Sequence, residues 1–267
     1  MNYVALVSAT TLQRVQVTVG PHGSVTGVST VDALLRAMRS PHDCCIVVDP
    51  TMLGHAGADA LVAAFRDVPR SIVVYAPIAR EALEPSVALA QQTAAQFVFQ
   101  GAPNERSALG HALLLAPDAA LGVALTTALE PMLLQLPHQL RLTLASMLRT
   151  GTGPATGEAL AAHAGIARRS MDRALAAARL ESSKFLIAAA RLVRVYRAIV
   201  ASRLPFRQIA AMAGYASPRT LDHHCTTFFG HSSAWLRRHP PSVADAVRNL
   251  TERVTLDEGV HSESAVS

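Results

Sequence analysis

The chain has 267 residues, of which 50% are apolar and 16% charged, and its formal net charge is +5. This length allows one large domain or two ordinary ones, each with a real core. Three cysteines form no disulfide framework, so we expect a reducing, cytoplasmic environment. The start of the chain lacks the basic region of a secretory signal, and prolines and acidic residues interrupt the apolar stretch at 108–136. We therefore expect neither a signal peptide nor a membrane span.

The charges are distributed unevenly along the chain. Residues 1–149 carry 9 basic and 10 acidic side chains, residues 150–238 carry 13 and 4, and residues 239–267 carry 2 and 5. The excess positive charge is therefore concentrated in one segment. Such a segment favours a polyanionic partner, because neutralising phosphates releases counterions from nucleic acid.

The first 115 residues alternate between strand-like and helix-like patterns. Apolar runs predict strands at 3–7, 24–28, 44–48, 71–75 and 96–99, and helical spacing predicts helices at 31–39, 58–67, 78–93 and 104–115. Residues 11–19 fit either a helix or a strand that closes a hairpin at 20–23. Alternation of this kind predicts a three-layer α/β domain with a parallel sheet over residues 1–115.

Five strands with Asp49 at the end of the third resemble, in topology, the receiver domain of bacterial response regulators. The resemblance implies a phosphoacceptor at Asp49, but its charged neighbours are missing. Ser8-Ala9-Thr10 replaces the acidic pair after the first strand, Tyr75-Ala76-Pro77 replaces the hydroxyl residue after the fourth, and Gln100-Gly101 replaces the lysine after the fifth. In receivers the acidic pair holds a magnesium ion beside the phosphoacceptor, and phosphoryl transfer needs both this ion and the lysine to neutralise charge in the transition state. We therefore predict a degenerate receiver for dimerisation or partner docking, with phosphorylation of Asp49 as the alternative.

Residues 116–155 are predicted to be a helical linker and hinge. Two helical stretches, 119–129 and 139–148, are separated by Glu130-Pro131 and Leu136-Pro137, and their apolar pattern predicts packing on a domain or on a second protomer. The glycine-rich segment 150–154 is the predicted hinge.

The stretch 204–238 has the pattern of a helix-turn-helix. Pro205 can open a first helix, Gly214 can end it with a positive φ, and Ser217-Pro218 can start a second one. Leu221, Cys225, Phe228 and Phe229 are predicted to be buried on this second helix, whereas Arg219, Thr220, Asp222, His223 and Thr226 are predicted to face outward. A short helix with a polar outer face after a glycine turn fits a DNA groove.

The run from Ile209 to Arg238 resembles the second helix-turn-helix of AraC/XylS-type transcription regulators, through I-A-x-x-A-G-Y-x-S-x-x-x-L, F-F-G-H-S and W-L-R. That family has two such motifs, and residues 157–175 resemble the first. Between the copies, residues 182–201 contain no glycine or proline and can form one helix of roughly 30 Å. That length is close to the ~34 Å between successive major-groove faces on one side of DNA.

The resemblance implies a double helix-turn-helix DNA-binding domain at 156–238, with contacts from outward residues of both recognition helices. These are Arg168, Arg169, Asp172 and Arg173 in the first motif, and Arg219, Thr220, Asp222 and His223 in the second. The sequence departs from the family at two points. Arg179-Leu180 replaces a glycine that closes the first motif, and His223 replaces a basic residue, so a contact there is expected to depend on pH.

No motif predicts an enzyme, a metal site or a cofactor. His223-His224-Cys225 are consecutive on a helix, so their side chains point about 100° apart and cannot converge on one ion. The segments 230–234 and 151–157 lack the spacing of a serine-nucleophile elbow and of a dinucleotide fingerprint.

The sequence therefore predicts a bacterial, cytoplasmic, sequence-specific transcription regulator that is nucleoid-associated when bound. Expected partners are double-stranded DNA, a second copy of the chain, and RNA polymerase or a regulatory protein, with no membrane. The alternatives are a phospho-accepting response regulator that uses Asp49, or a helical protein-interaction module that does not bind DNA. Residues 239–267 are predicted to be an extension with a short helix at 244–253 and a disordered end from Asp257.

Overall fold

The computed structural model describes residues 1–40, 44–93, 95–116 and 118–256. Its strands are β1 (Asn2–Leu6), β2 (Ser24–Gly27), β3 (Cys45–Val48), β4 (Ser71–Ala76) and β5 (Gln96–Phe99). The helices among the strands are α1 (Ala9–Val19), α2 (Val31–Arg39), α3 (Pro50–Asp67), α4 (Arg80–Gln92) and α5 (Glu105–Leu114), with a 3-10 helix at Gly20–His22.

The remainder of the described chain is helical. Its helices are α6 (Ala119–Leu133), α7 (His138–Thr150), α8 (Gly157–His163), α9 (Arg168–Ala177), α10 (Ser183–Ala201), α11 (Phe206–Met212), α12 (Pro218–Phe229), α13 (Ser233–Arg238) and α14 (Val243–Val254). The predicted fold class, an α/β domain followed by an all-α region, is therefore confirmed.

The five strands form one sheet in the order β2-β1-β3-β4-β5, and every strand pair is parallel. This is the doubly wound order of flavodoxin-like and receiver folds. The inner strands β3 and β4 are buried along their whole length because helices cover both faces of the sheet. This explains why their sequences are continuous apolar runs.

The ambiguous segment at 11–19 forms the helix α1 rather than a hairpin strand. The hydroxyl of Ser8 caps it by accepting the amide N–H of Thr11. Thr11, Val15 and Val19 are buried at intervals of one helical turn, and Val15 and Val19 join the core beneath the sheet. The segment therefore follows the helical spacing of its apolar residues and not the alternating pattern of a strand.

Two predicted helix boundaries were wrong. The helix predicted at 58–67 begins at Pro50, directly after β3, because Asp49 caps it and proline is favoured at the first helical position. Gly54, at φ +61°, kinks this helix. The stretch predicted to stop before Pro131 continues as α6 to Leu133, because a proline near a helix end removes only one backbone hydrogen bond.

The spacer predicted at 182–201 is the single helix α10, about 29 Å long at 1.5 Å per residue. The short helix predicted after the prolines 240–241 is α14. The end of the chain from Asp257, predicted to be disordered, lies outside the described residues.

Tertiary contacts divide the chain into two compact units. Of the described residues, those within 1–120 and 194–218 form one unit, and those within 121–193 and 219–256 form the other. The domain limits predicted from the sequence, at 115, 155 and 238, remain predictions. Over the described part of the chain no single helix has the length and apolarity of a membrane span, although Glu105–Leu114 and Ala119–Leu133 meet that criterion jointly.

Candidate nucleic-acid interface

The first motif consists of α8, a glycine turn and α9. Thr156 caps α8 by accepting the N–H of Ala159, and Leu160 and Ala161 form its buried face. The turn is closed by two backbone hydrogen bonds, from Gly165 N–H to Ala162 O at 3.1 Å and from Ile166 N–H to Ala161 O at 3.0 Å. Gly165 lies at φ +66°, a conformation that glycine adopts without strain.

The end of α11 repeats this turn about fifty residues later. Gly214, at φ +74°, donates to Ala211 O at 3.2 Å, and Tyr215 N–H donates to Ala210 O at 2.9 Å. Ile209 and Ala210 are buried at the places that Leu160 and Ala161 hold in α8. The chain then enters α12 after five connecting residues, one more than between α8 and α9. The internal repeat predicted from the sequence is therefore present in the backbone geometry.

The outer face of α9 carries the residues predicted to contact DNA. Arg169, Asp172 and Arg173 are exposed, while Met171 and Leu175 are buried beneath them. Neither Arg169 nor Arg173 forms an ion pair with any residue that the structure describes. Their guanidinium groups are therefore available to an external anion.

Arg168 is arranged differently from the other two arginines. Its Nε donates to both carboxylate oxygens of Asp172, at 3.1 and 3.0 Å, and its Nη1 lies 3.8 Å from the carboxylate of Glu158. Asp172 thus balances the charge of Arg168. A DNA contact by either residue stays a prediction, and it would have to compete with this pair.

On α12 the four apolar residues predicted to be buried are buried. The rings of Phe228 and Phe185 pack with centroids 6.0 Å apart, and burial raises the pKa of the Cys225 thiol to about 12. Cys225 is therefore a protonated core group. Arg219 and His223 are exposed on the opposite face, and Thr220 is half-buried.

Asp222 has a structural role that its outward position did not predict. Its Oδ1 accepts both the amide N–H and the hydroxyl of Ser233, each at 2.8 Å, and Ser233 is the first residue of α13. The carboxylate thus fixes the start of α13 to α12. A contact between Asp222 and DNA remains a prediction.

The first motif ends at Arg179, at the position where the AraC/XylS family that the sequence resembles has a glycine. Arg179 lies at φ +56°, the one non-glycine positive φ recorded in the described chain. Arg179 N–H donates to Ala176 O at 3.0 Å and Leu180 N–H donates to Leu175 O at 2.9 Å. The glycine-type helix end is therefore formed by an arginine in the left-handed conformation, which is strained for a residue with a Cβ.

Replacing Arg179 with glycine is expected to stabilise the protein by about 1 kcal/mol, because it removes this steric strain. Part of the gain is offset by the greater freedom of glycine in the unfolded chain. Chemical denaturation of the full chain measures the change in free energy of unfolding. Arg179→Ala is the control, since alanine retains the Cβ, and equal stability of the glycine and alanine variants would contradict the strain.

Asp49 lies at the position of the phosphoacceptor in receivers, but its side chain caps the start of α3. Its side chain is only 6% exposed, and its Oδ1 accepts the N–H of Thr51 at 2.9 Å and the hydroxyl of Thr51 at 2.7 Å. Where receivers have an acidic pair, the hydroxyl of Ser8 caps α1 and donates to the hydroxyl of Thr11. The carboxylate is thus engaged as a helix cap.

The end of β4 is also built differently from a phosphorylation site. The Tyr75 hydroxyl donates to Glu105, which also accepts the N–H of Gly101 and a guanidinium N–H of Arg14. The hydrogen bond from Tyr75 and the one from Gly101 lower the pKa of Glu105. This network is a closed set of hydrogen bonds between α1, β4 and α5.

We expect no phosphorylation of Asp49 by acetyl phosphate with magnesium, because neither a metal-binding acidic pair nor a lysine is present to neutralise the transition state. Intact-mass spectrometry should show no added phosphoryl group. Asp49→Ala should instead lower the free energy of unfolding by about 1 kcal/mol through loss of the helix cap. A phosphoryl adduct that disappears in Asp49→Ala would establish the alternative.

The structure also brings together residues that sequence analysis did not select. Ser183, Lys184 and Arg191 of α10 line one cavity with Arg168, Thr220 and His224. Lys184 and Arg191 are seven residues apart and so share a face of α10, a spacing that could have been noticed in the sequence. Burial lowers the pKa of His224, and His223, Arg191 and Lys184 lower it further.

Within residues 1–40, 44–93, 95–116 and 118–256, no three histidine, cysteine or acidic side chains are grouped as metal ligands would be. No protein-family model matches the chain, and no curated protein matches it significantly. The chain is similar to a solved structure of full-length FixJ from B. japonicum, with 17% identity over 80% of this chain and 96% of that one, at a TM-score of 0.35. A score this low assigns no common overall fold, so the fold class rests on the sheet order and helical elements described above.

Proposed function

We propose that this chain is a sequence-specific DNA-binding transcription regulator of the AraC/XylS type, with a receiver-like N-terminal domain that works without phosphorylation. The observation that carries the proposal is the repeat of a helix, a glycine turn and a second helix, with matching turn hydrogen bonds at Gly165 and Gly214. Each second helix has a buried apolar face and an outer face with exposed arginine.

Charge supports DNA as the partner. Residues 150–238 hold 13 basic and 4 acidic side chains, and Arg169, Arg173 and Arg219 are exposed on the two recognition helices. Cations in such positions neutralise phosphates and make the affinity fall steeply with salt. A protein-interaction module would not require that dependence.

Fluorescence anisotropy with a random-sequence 40-base-pair duplex tests this proposal on the full chain. The observed binding constant should fall with salt at a logarithmic slope of roughly −3 or steeper, since each neutralised phosphate contributes about −0.9. Binding that is absent at low salt, or that is insensitive to salt, would refute DNA binding and favour the protein-interaction alternative.

The N-terminal domain is proposed to dimerise through the face formed by α4 and β5. Ile78, Leu83, Val87 and Phe99 are exposed there, at 81%, 61%, 52% and 51%, and line an apolar groove of 530 Å³. A contiguous exposed apolar surface of this kind marks an interaction site. A second copy is the proposed occupant, because a dimer places two pairs of recognition helices on one duplex and raises the effective concentration of each.

We expect Leu83→Glu to convert a dimer into a monomer in light scattering, because it buries an unpaired charge in the interface. Val17→Glu is the matched control, since Val17 is 70% exposed on α1 and does not line the groove. A wild-type monomer across the micromolar range, or a dimer that survives Leu83→Glu, would contradict this role of the groove.

A further inference from the structure

A cavity of 380 Å³ lies among α8, α9, α10 and α12. Three basic side chains line it, namely Arg168 at the start of α9 and Lys184 and Arg191 on α10. Glu158 is the one carboxylate among the residues recorded as lining the cavity. Asp172 also pairs with Arg168, so the three basic side chains exceed the two carboxylates, Glu158 and Asp172, by one charge. This positive excess favours an anion, and the volume lies within the range of ligand-binding pockets.

Ser183 provides a second, independent indication of a ligand. Its residue is only 1% exposed, it lines the cavity, and its hydroxyl has no hydrogen-bond partner in the part of the chain that the structure describes. A buried hydroxyl without a partner is costly, and natural proteins rarely leave one unsatisfied. Ser183 is the first residue of the 19-residue helix α10, whose first turn also presents backbone N–H groups and the positive end of the helix dipole.

Gly157 leaves room for the guanidinium of Arg168 beside the hydroxyl of Ser183. A Cβ at this position would lie 1.3 Å from Nη1 of Arg168 and 2.6 Å from Oγ of Ser183. The guanidinium and the hydroxyl therefore approach the same point above the glycine. Any side chain at residue 157 would displace one of these donors.

The guanidinium of Arg168 retains donors for a ligand. Its Nε is used by Asp172, at 3.0 and 3.1 Å, but an arginine has five N–H donors. Arg191 donates from Nη2 to the carbonyl of Ala155 at 3.1 Å, which positions its guanidinium at the cavity wall. Lys184 is exposed and also lines the cavity.

We propose that this cavity binds a phosphate group, held by Arg168, Lys184 and Arg191 and by the hydroxyl of Ser183. The proposal rests on the proposed function in one respect, because the phosphate can come from the DNA backbone or from a free phosphorylated small molecule. Arg168 and Thr220, which line the cavity, are also predicted DNA contacts. The chemistry of recognition is the same for both sources.

Isothermal titration of the full chain with inorganic phosphate at constant ionic strength tests the site directly, with Kd expected on the order of 1 mM. Ser183→Ala and Arg191→Gln should each weaken phosphate binding roughly tenfold or more, since each removes one donor to the anion. Arg253→Gln is the charge-matched control, because Arg253 is exposed on α14 and does not line the cavity. Ser183→Ala should melt no lower than wild type, since it removes a hydroxyl that has no partner.

Fluorescence anisotropy with the random duplex distinguishes the two sources of the phosphate, the DNA backbone and a free small molecule. If the backbone of DNA fills the cavity, Arg191→Gln and Ser183→Ala weaken duplex binding and free phosphate competes with it. If a small molecule fills the cavity, both variants bind the duplex with wild-type affinity and lose only the binding of free phosphate. The proposed site would be overturned if both variants bound phosphate as tightly as the wild-type protein. It would also be overturned if the wild-type protein did not bind phosphate and both variants bound the duplex with unchanged affinity. A wild-type protein that binds phosphate but no duplex would refute the proposed function and leave the site standing.

Discussion

Arg219→Ala and Arg173→Ala are each expected to weaken DNA binding roughly 5- to 150-fold, which corresponds to a loss of about 1 to 3 kcal/mol per base-reading arginine. Both side chains are exposed on the outer faces of α12 and α9. Neither forms an ion pair with a described residue, so their truncation breaks no ion pair within the described chain.

The pattern of loss tells a base contact from a phosphate contact. An arginine that reads a base should lose affinity for the specific site and little for a random duplex, because the base supplies the discrimination. An arginine that binds phosphate should weaken both duplexes alike and reduce the salt slope by about one unit. Gel-shift titrations of both variants against both duplexes make this comparison.

Arg253→Ala serves as the control for loss of one positive charge, since Arg253 is exposed on α14 rather than on a recognition helix. Wild-type affinity in both Arg173→Ala and Arg219→Ala, on both duplexes, would contradict the assignment of α9 and α12 as recognition helices.

Asp222→Ala is expected to lower the free energy of unfolding by about 2 to 3 kcal/mol. One carboxylate oxygen accepts two hydrogen bonds from Ser233, and a single hydrogen bond to a charged group is worth about 1.5 to 3 kcal/mol. The two bonds share one oxygen of a half-buried side chain, so we expect them together to contribute less than twice that amount. Alanine would also leave the N–H of Ser233, a residue only 4% exposed, without its acceptor. Chemical denaturation of the full chain measures this loss.

Asp222→Asn separates stability from DNA recognition. The amide oxygen can still accept both bonds, so this variant should retain most of the stability lost in Asp222→Ala. Equal destabilisation by asparagine and alanine would show that the charge itself holds α13. Changed DNA affinity in a stable Asp222→Asn protein would support the predicted DNA contact by Asp222.

Local patterns were sufficient to predict the sheet and the two glycine turns. The runs around Ile46 and Val73 are apolar and β-branched because both faces of the parallel sheet are covered. Gly165 and Gly214 follow alanine-containing helices at the point where a positive φ is needed, and glycine adopts that conformation without strain. Both signals are carried by a few neighbouring residues.

The start of α3 and the end of α6 were predicted wrongly because the apolar spacing of the sequence does not show how helix ends tolerate glycine and proline. Gly54 and Gly57 are poor helix formers, so the first turns of α3 did not look helical, although Asp49 and Pro50 form a suitable cap and first residue. Pro131 suggested a break, but only the last residues of α6 follow it. How well a helix tolerates a glycine or a proline therefore depends on how near that residue lies to the end of the helix.

The candidate site was only partly predictable because some roles arise from long-range contacts. The partner of Asp222 is eleven residues away, and Gly157, Arg168 and Ser183 meet only after α8, α9 and α10 have packed. The strained φ of Arg179 could be suspected from the resemblance, since the family has glycine there, but its value of +56° belongs to the folded backbone.

The most direct test of the account is selection of binding sites from a pool of random duplexes by the full chain. We predict an enriched sequence with two blocks whose centres lie about 10 base pairs apart, one block for each recognition helix on the same side of the duplex. Arg173→Ala should relax one block and Arg219→Ala the other. No enrichment, or a single block that responds to only one of these variants, would contradict a regulator that reads DNA with both α9 and α12.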